Sequence, residues 1–439
     1  MTKYVNSAEA LPLSLHLWDS VPTQTGIAET KVIDVFPTTS IEASDTLTFV
    51  IPPMAKLMLD KVQIVSQIRA IRADGDNPAA NHPCATAPHL AAALFRNVEV
   101  TAGGVSLVQS FDNSYAMFKF WNDVIHNTNG TASALKSREG IVIDSVYTKA
   151  DSENTTYFPE GTDQNPAAPA TNQNGVKRAQ YIAGGKKVCL VSDLNCSILA
   201  QDKLLVPELE IVVTLTKNYS EFILLEPDNH TEKIVFDKLA LRCTYKRPQD
   251  FIINLLEERL AKENAIYHVN KNVMSFHTVP EGATDFTISS VFGSKLPYMF
   301  LVGIQDRTAF GRTRSKNPFT LYPMKRFQVF VDGQEHFPRP VEMVDNDVTH
   351  LWESFLNQTG YINNGDNLLS DYYAAYPALC VDLTQDKSQN QSSLNIQRSG
   401  TVRLGIELPE AAPNGRVVMI LAWYDEVVEI TKDRQVKVY

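Results

Sequence analysis

The chain has 439 residues, a mass of 48.9 kDa, a formal net charge of −10 and a sequence pI near 5.5. Hydrophobic residues at 44% and charged residues at 21% are ordinary globular values, which argue against a disordered or fibrous protein, and the length is sufficient for two domains. The acidic balance argues against a main body that wraps nucleic acid, because such a surface would repel phosphate groups.

The N-terminal residues 1 to 44 are expected to form an arm rather than a packed domain, because short apolar pieces alternate there with Pro, Thr and Ser. The beginning lacks a basic segment followed by an apolar one, so we expect no signal peptide. No run approaches 18 apolar residues, so we expect no membrane span. Strands are predicted at residues 46 to 51 and 57 to 71, where period-2 alternation dominates.

A β-hairpin is predicted at residues 327 to 340, FQVFVDGQEHFPRP, with Asp332-Gly333 as its two-residue turn. Asp-Gly and Gly-Gly are strong hairpin signals, because a type I′ turn requires positive φ at both central residues. An earlier stretch, VEVTAGGVSLV, carries Gly103-Gly104 at the corresponding place, 229 residues before the second turn (103 to 332). The two hairpins therefore suggest a tandem duplication.

An amphipathic helix is predicted after each hairpin. Residues 114 to 126 carry one apolar stripe at helical spacing, which includes Trp121, and residues 347 to 356 carry another, which includes Trp352. The tryptophans are 231 residues apart (121 to 352), so the register of the duplication is kept within two residues.

The second half of each copy also repeats. VCLVSDL at residues 188 to 194 resembles LCVDLT at 379 to 384, and each is followed by a strand with clean apolar alternation. The strands begin 193 residues apart (Leu209 to Val402), because the first copy contains a polar insertion at about residues 127 to 180. This insertion has little apolar periodicity and is predicted to be a large surface loop or tower.

A connecting helix is predicted between the copies, in which Leu255 and Leu256 belong to an apolar side and Asp250 can cap the N-terminus. This places the first domain at residues 45 to 247, the connecting helix at 248 to 265 and the second domain at 266 to 439. Each copy has about eight short strands with turn signals, which predicts an all-β protein of two tandem eight-stranded jelly-roll β-sandwiches with a few short helices. A tandem immunoglobulin-like array is the competing interpretation, but it would lack the helices after the hairpins.

The five cysteines are predicted to be mostly buried, reduced thiols, because they are odd in number, scattered and mostly within apolar runs. The one local group of metal-type ligands, His82, Cys84 and His89, matches no zinc spacing, and Cys189 and Cys196 are too far apart for a C-x-x-C pair. We therefore expect neither a metal site nor a cofactor.

No catalytic motif is found either. Gly184-Gly185 followed by two lysines fails the P-loop frame, and neither a G-x-S-x-G elbow nor an H-E-x-x-H helix is present. The basic run at residues 307 to 316 could face nucleic acid inside a shell, although a loop at a subunit junction is favoured.

Acid pairs are the remaining candidates for chemistry, because a glycosidase needs two carboxylates. Asp345 with Asp347 and Asp382 with Asp386 are such pairs, but helix capping and loop punctuation explain them better. We therefore predict that the protein has no catalytic residues and is not an enzyme.

Five stretches in this order resemble double jelly-roll major capsid proteins of the Polinton (Maverick) and adintovirus type, in the lineage of adenovirus hexon and virophage capsids. The resemblance covers roughly residues 45 to 435. The stretches are ALFRNVEVTAGGVSLV, KLLVPELEIVVTLTKNYSEFILL, KLPYMFLVGIQDRTAFGRTRSKNPFTLYPMKRFQVFVDGQ, LNQTGY with DYYAAYPALCVDLTQD, and RSGTVRLGIEL with VVMILAWYDEVVEI.

The resemblance implies a structural protein of the virion, in which three copies form a homotrimeric, pseudo-hexameric capsomer of an icosahedral double-stranded DNA virus or virus-like element. The implied partners are other copies of the chain, neighbouring capsomers and minor capsid or penton proteins, without sequence-specific binding of nucleic acid. Because fold alone does not determine function, the alternatives are a carbohydrate-binding or carbohydrate-active protein on a tandem jelly-roll scaffold, and a minor capsid protein.

Overall fold

The computed structural model of the chain describes residues 23–79, 84–108, 113–126, 137–142, 173–194, 196–225, 232–307, 317–337, 339–342, 377–385 and 394–439.

Eight strands of the N-terminal half form a β-sandwich of two antiparallel sheets. The strands are β1 Ile27–Val35, β2 Thr46–Ile51, β3 Met58–Ile71, β5 Phe95–Ala102, β6 Val105–Val108, β7 Val188–Asp193, β8 Ile211–Lys217 and β10 Lys233–Pro248, with a small extra pair made by β4 Ala85–Thr86 and β9 Leu224–Leu225. One sheet has the order β1-β10-β3-β7 and the other β2-β8-β5-β6.

The C-terminal half forms a second sandwich. Its strands are β11 Ala265–Val279, β12 Asp285–Ile288, β14 Met299–Asp306, β15 Arg326–Val331, β16 Gln334–Glu335, β18 Ala378–Asp382, β20 Val402–Glu407 and β21 Arg416–Ile430. The short strands β17 Val341–Glu342 and β22 Val436–Val438 pair with β15 and β21, and β13 Lys295–Leu296 and β19 Arg398–Ser399 form a small separate pair. The sheet orders are β11-β21-β14-β18 and β12-β20-β15-β16.

The two sandwiches have one topology. If the eight main strands of each sandwich are numbered along the chain, one sheet has the order 1-8-3-6 and the other 2-7-4-5 in both halves. Eight strands wound in this way form a jelly roll, so the predicted fold class of two tandem jelly rolls is confirmed.

Both predicted hairpins are present. Ala102 pairs with Val105 and Val331 pairs with Gln334, so each turn contains two residues. The central residues have positive φ in both turns, as a type I′ turn requires: Gly103 53°, Gly104 78°, Asp332 51° and Gly333 81°.

Five α-helices have both ends within the described residues: α1 Leu90–Ala93, α2 Ser114–His126, α3 Gln173–Ile182, α4 Ser220–Ile223 and α5 Asp250–Leu260. The predicted helix after the first hairpin is α2, whereas the one predicted at residues 347 to 356 lies outside the described residues. The connecting helix is α5, but its predicted apolar side is wrong in part, because Leu255 and Leu256 are exposed. Asp250 does not cap the helix through its side chain either; it forms ion pairs with Lys56 and Arg247.

The expected N-terminal arm contains a strand of the first sandwich, so its placement outside the packed domain is wrong for residues 27 to 35. β1 pairs with β10 from Ile27 to Val35 at the edge of the sheet. Its sequence IAETKVIDV lacks a clear buried face, because most of the strand is exposed at that edge, and therefore it shows no apolar alternation.

The predicted insertion is not wholly a surface loop. Two described parts of it, residues 137–142 and the N-terminal portion of α3, pack into the first sandwich. Arg178 of α3 is fully buried and donates from Nε to the Thr86 carbonyl (2.7 Å) and from Nη1 to the Val142 carbonyl (2.7 Å). Polar residues anchor these parts, which explains why apolar periodicity did not reveal them.

The predicted division of the chain, with the connecting helix at residues 248 to 265, remains our proposal for the domain boundaries. The last strand of the first sandwich ends at Pro248 and the first strand of the second begins at Ala265. Buried apolar side chains from both halves belong to one continuous cluster, so the two sandwiches share a packed interface.

Candidate functional site

The interface between the two sandwiches is organised by α2. This helix leaves the first sandwich after its hairpin and places its apolar stripe on β14 of the second. Trp121 is fully buried, and a Cβ atom added to Gly303 on β14 would lie 3.2 Å from Cζ2 of its ring. Gln305 Nε2, also on β14, donates to Met117 Sδ at 3.4 Å. The glycine on β14 therefore makes room for the indole.

An aromatic cluster extends this contact. Phe319 of the second sandwich stacks on Phe120 of α2, with ring centroids 4.9 Å apart, and meets the edges of His89 (5.5 Å) and Phe222 (5.8 Å). Aromatic pairs in such geometries stabilise beyond their buried area. His89 is thus a packing residue of this cluster, with 1% of its surface exposed.

Polar contacts hold the other end of the interface. The Tyr267 hydroxyl on β11 donates to the Leu204 carbonyl and accepts from the Val206 amide, both at 3.1 Å. Arg434 donates to the Pro207 carbonyl at 2.8 Å and to Glu257 Oε1 of α5 at 2.8 Å. These hydrogen bonds connect residues 204–207 of the first sandwich to β11 and to Arg434 of the second, and connect Arg434 to α5.

A buried ion cluster lies behind the apolar stripe of α2. Lys119 Nζ is 2.8 Å from Asp123 Oδ1 and 3.0 Å from Glu139 Oε2, and all three side chains are almost completely buried. Burial raises the pKa of Asp123 to about 7, although the Lys119 charge opposes this. Burial alone would lower the pKa of Lys119, but the nearby charges of Asp123 and Glu139 raise it overall. The cluster pins α2 to residues 137–142.

Among the cavities lined by described residues, two adjoin the second sandwich. One of about 320 Å³ lies between the sandwiches, with Tyr115 and Phe118 of α2 on one side and Met274 on the other. The other, of about 280 Å³, is lined by Tyr298, Tyr424 and several polar residues at one edge of the second sandwich. Asp425 is the single carboxylate among the described residues of this edge cavity, whereas glycoside hydrolysis requires two.

The sequence candidates for chemistry are not brought together within the described ranges. Cys84 and Cys196 are buried and Cys189 is exposed. Asp382 accepts hydrogen bonds from the amide (2.7 Å) and hydroxyl (2.6 Å) of Thr384, which is a local turn contact. His82, Asp345, Asp347, Asp386 and residues 308 to 316 of the basic run lie outside the described residues.

Metal sites and membrane spans are two further classes of functional feature. No group of three or more His, Cys, Asp or Glu side chains in these ranges could hold a metal ion. None of the helices in the same ranges is long and apolar enough to cross a bilayer.

Comparison with known proteins identifies the fold. No family model and no curated protein matches the sequence. A chain of the Sputnik virophage structure is similar, with a TM-score of 0.63 at 12% identity over 99% of this chain and 93% of that one. The Faustovirus major capsid protein gives a TM-score of 0.60 at 8% identity, over 96% of this chain and 92% of that one. The mavirus major capsid protein gives 0.58 at 12% identity, over 100% and 96%.

The similarity therefore extends over the whole double jelly roll rather than one sandwich. At such low identities it shows the fold, and it assigns no residue of this chain to a function.

Proposed function

We propose that the chain is a major capsid protein, whose homotrimers form pseudo-hexameric capsomers in the icosahedral shell of a double-stranded DNA virus or virus-like element. The observation that carries this proposal is the end-to-end likeness of the fold to structures whose names describe major capsid proteins. The shared packing of the two sandwiches adds support, because one continuous cluster of buried apolar side chains joins them.

The geometry suits this role. Two sandwiches of equal topology give one chain two similar but non-identical sides, so three chains can place six jelly rolls around a threefold axis. When one surface of a chain binds a different surface of the next copy, the copies form a closed ring if the rotation that relates them is a whole fraction of a turn, such as one third. Pseudo-hexagonal blocks can then cover a shell.

The partners that follow from this proposal are other copies of the chain, neighbouring capsomers, and minor capsid or penton proteins at special positions. The location that follows is the virion. The protein would act through assembly without catalysis, which agrees with an interface built from packed aromatics and buried ion pairs.

Purified protein should be studied by light scattering coupled to size exclusion and by electron microscopy. We expect a trimer of the 48.9 kDa chain and, at high concentration, hexagonal blocks or particles. A stable monomer that neither trimerises nor forms particles would contradict the proposed function. Glycan binding or hydrolysis by that monomer would instead favour a carbohydrate-active protein.

A further inference from the structure

The buried ion cluster beside α2 places one amine and two carboxyl groups where water is excluded. The side chains of Lys119, Asp123 and Glu139 are 2%, 3% and 5% exposed. Apolar packing is tight next to them, since a Cβ atom added to Gly140 would lie 3.0 Å from Cδ2 of Leu190. Taking charges out of water is costly even when they are paired. A reaction that removes charge from this cluster is therefore favoured.

Helical spacing holds the amine against one of the carboxyl groups. Lys119 and Asp123 are four residues apart on α2, so their side chains are neighbours on one face of the helix. Lys119 Nζ is 2.8 Å from Asp123 Oδ1. The other oxygen of this carboxyl group, Oδ2, is buried and has no hydrogen-bond partner among the described residues. The amine and the carboxyl group are thus in contact, with one carboxyl oxygen left over.

Glu139 supplies the second carboxyl group from a different segment of the chain. Its Oε2 is 3.0 Å from Lys119 Nζ. Its Oε1 lies 3.4 Å from Nη2 of Arg138 and 3.4 Å from the amide nitrogen of Asp193, and these two groups orient it. A carboxylate held at this distance from an amine can accept a proton from it, as a general base does. The cluster therefore combines a nucleophile, an acyl group and a proton acceptor.

These three groups are the components of an amide condensation. Glu139 takes one proton from the Lys119 ammonium group and keeps it. The lone pair of Nζ then attacks the carboxyl carbon of protonated Asp123, so that a C–N bond forms and the C–OH bond breaks. The hydroxyl leaves with a second proton from Nζ as water, and the third proton stays on the amide. The products are a neutral amide and a neutral Glu139, and no oxidant or reductant is needed.

The protonation states agree with these roles. Burial raises the pKa of Asp123 to about 7, so a large share of this group is the carboxylic acid at neutral pH. The pKa of Lys119 is raised overall by its two acidic neighbours, although burial opposes this, so the free amine is scarce. The reaction is consequently slow, but it has to occur only once per chain between groups that the fold keeps in contact.

We propose that Lys119 and Asp123 condense to an intramolecular isopeptide bond in the folded chain, with Glu139 as the proton acceptor. The bond closes one turn of α2, the helix that joins the two sandwiches. The titration of Asp123 belongs to the chain before condensation, because the amide has no carboxyl proton. The inference concerns a single chain and does not depend on the proposed function.

Intact-mass spectrometry of the folded, purified protein is the first test. We expect a species that lacks one water molecule, about 18 Da below the mass of its sequence, and a fraction of it that grows with time. Lys119→Arg is the matched control, because it keeps the positive charge but has no amine able to condense, and it should retain its full mass.

Peptide mapping locates the bond. Trypsin cuts after a lysine only when its amine is free, so the linked chain should give residues 97 to 136 as one peptide, uncut after Lys119. Fragmentation of this peptide should release no ions from breaks between residues 119 and 123, because the ring keeps both halves joined. A succinimide at Asp123 also lacks one water molecule, but it leaves Lys119 open to trypsin.

A second ion pair of the chain is an internal control for burial. Lys262 and Glu258 on α5 are also four residues apart, with Nζ 2.9 Å from Oε1, but their side chains are 70% and 65% exposed. Water hydrates these charges and screens their attraction, so condensation has no advantage there. We expect trypsin to cut after Lys262 in all molecules.

Glu139→Gln tests the proton acceptor. Glutamine has the same shape but does not accept the proton, so we expect the linked fraction at a given time to fall at least about tenfold. Thermal unfolding of this variant and of Lys119→Arg reports whether they fold. If either does not, the mass and the tryptic map of the wild-type chain still decide.

The outcomes are distinct. A folded wild-type chain that keeps its full mass and is cut after Lys119, even after long incubation, would overturn the inference. A Glu139→Gln variant that folds and links as fast as wild type would overturn the role of Glu139. A bond from Lys119 to a peptide that begins at Glu139 would overturn the choice of Asp123. None of these results affects trimer formation, by which the proposed function is judged.

Discussion

Single residues decide how closely the two sandwiches approach, and Gly103 is the clearest example. It is the first residue of the first hairpin turn, and it faces the C-terminal part of the chain. A Cβ atom at this position would lie 2.8 Å from the carbonyl oxygen of Arg434, and φ is positive. Gly104 has positive φ as well, but a Cβ atom there would meet nothing within 4 Å.

We predict that Gly103→Ala lowers the free energy of unfolding more than Gly104→Ala does. Both variants place alanine in the left-handed region, which costs about 1–2 kcal/mol, and only the first adds a clash with the backbone. The clash should add about 1–3 kcal/mol, as overpacking of a filled site does, and urea unfolding can measure this difference. Equal losses in the two variants would show that the Arg434 segment moves aside freely.

The buried cluster of Lys119, Asp123 and Glu139 should make stability depend on pH. The pKa of Asp123 is raised from 3.8 to about 7 in the folded state, so the folded state binds this proton more tightly than the unfolded chain. The stability that comes from this group is present below pH 3.8 and is lost as the pH rises through about 7.

We therefore predict that wild-type protein loses stability relative to Asp123→Asn as the pH rises between these two values. Urea unfolding of both proteins across this range provides the measurement. Asp34, Asp193 and Asp237 have the opposite effect on stability, because their pKa values are lowered, but this effect is common to both proteins and cancels in the difference. Hydrogen bonds are the main cause in Asp34 and Asp237. In Asp193 burial acts to raise the pKa, and hydrogen bonds from neighbouring side chains lower it overall. A constant difference would mean that Asp123 is ionised throughout.

At the scale of elements, α2 follows a strand of the first sandwich in the sequence, but its side chains pack against both sandwiches. Its stripe carries Trp121 to β14 and Phe120 to Phe319, while Lys119 faces the ion cluster. Because α2 makes contacts on several sides, substitutions in it should destabilise the interface more than substitutions in any other described element.

We predict that Trp121→Ala destabilises the chain by about 3–5 kcal/mol, because a large buried side chain leaves a cavity that α2 and β14 cannot both close. Phe251→Ala is the comparison, since Phe251 of α5 is 61% exposed, and it should change stability by less than about 0.5 kcal/mol. Denaturant unfolding of the two variants tests this. Similar effects would mean that α2 is loosely packed.

The sequence predicts those strands and turns that are recognisable from residues close together in the chain. β2 has the predicted bounds, and both hairpin turns follow from Gly103-Gly104 and Asp332-Gly333, because positive φ strongly favours such residues. The strand β1 was missed because an exposed edge strand needs no apolar alternation.

The interface was harder to predict. Trp121 suggested a helix stripe, but the sequence does not show that the stripe leaves its own sandwich. Arg178 and Glu139 were missed because buried charges have no periodic pattern, and they become visible only through partners such as Thr86 and Lys119. Contacts between residues distant in the chain carry no local signal.

At the scale of the whole molecule, the unequal burial of equivalent strands implies unequal local stability. β14 lies between β21 and β18 and is covered on both faces, whereas β1 has β10 as its one partner among the described strands and is largely exposed. Regions with few buried contacts open more easily than the core.

We predict that backbone amides of β14 exchange hydrogen only through global unfolding, whereas those of β1 exchange through local opening at a lower free energy. Hydrogen exchange of the intact chain, followed by mass spectrometry with increasing denaturant, measures both. If β1 is as protected as β14 in a trimer but not in a monomer, neighbouring copies cover the edge.

The burial of β14 on both faces also has a consequence for synthesis. During translation the first sandwich leaves the ribosome before the second, and domains tend to fold in that order. Its sheets tolerate solvent on their outer faces, so it can fold at once and present α2 as a finished surface. The second sandwich then folds against an existing template, which shortens the time its apolar strands spend exposed to aggregation.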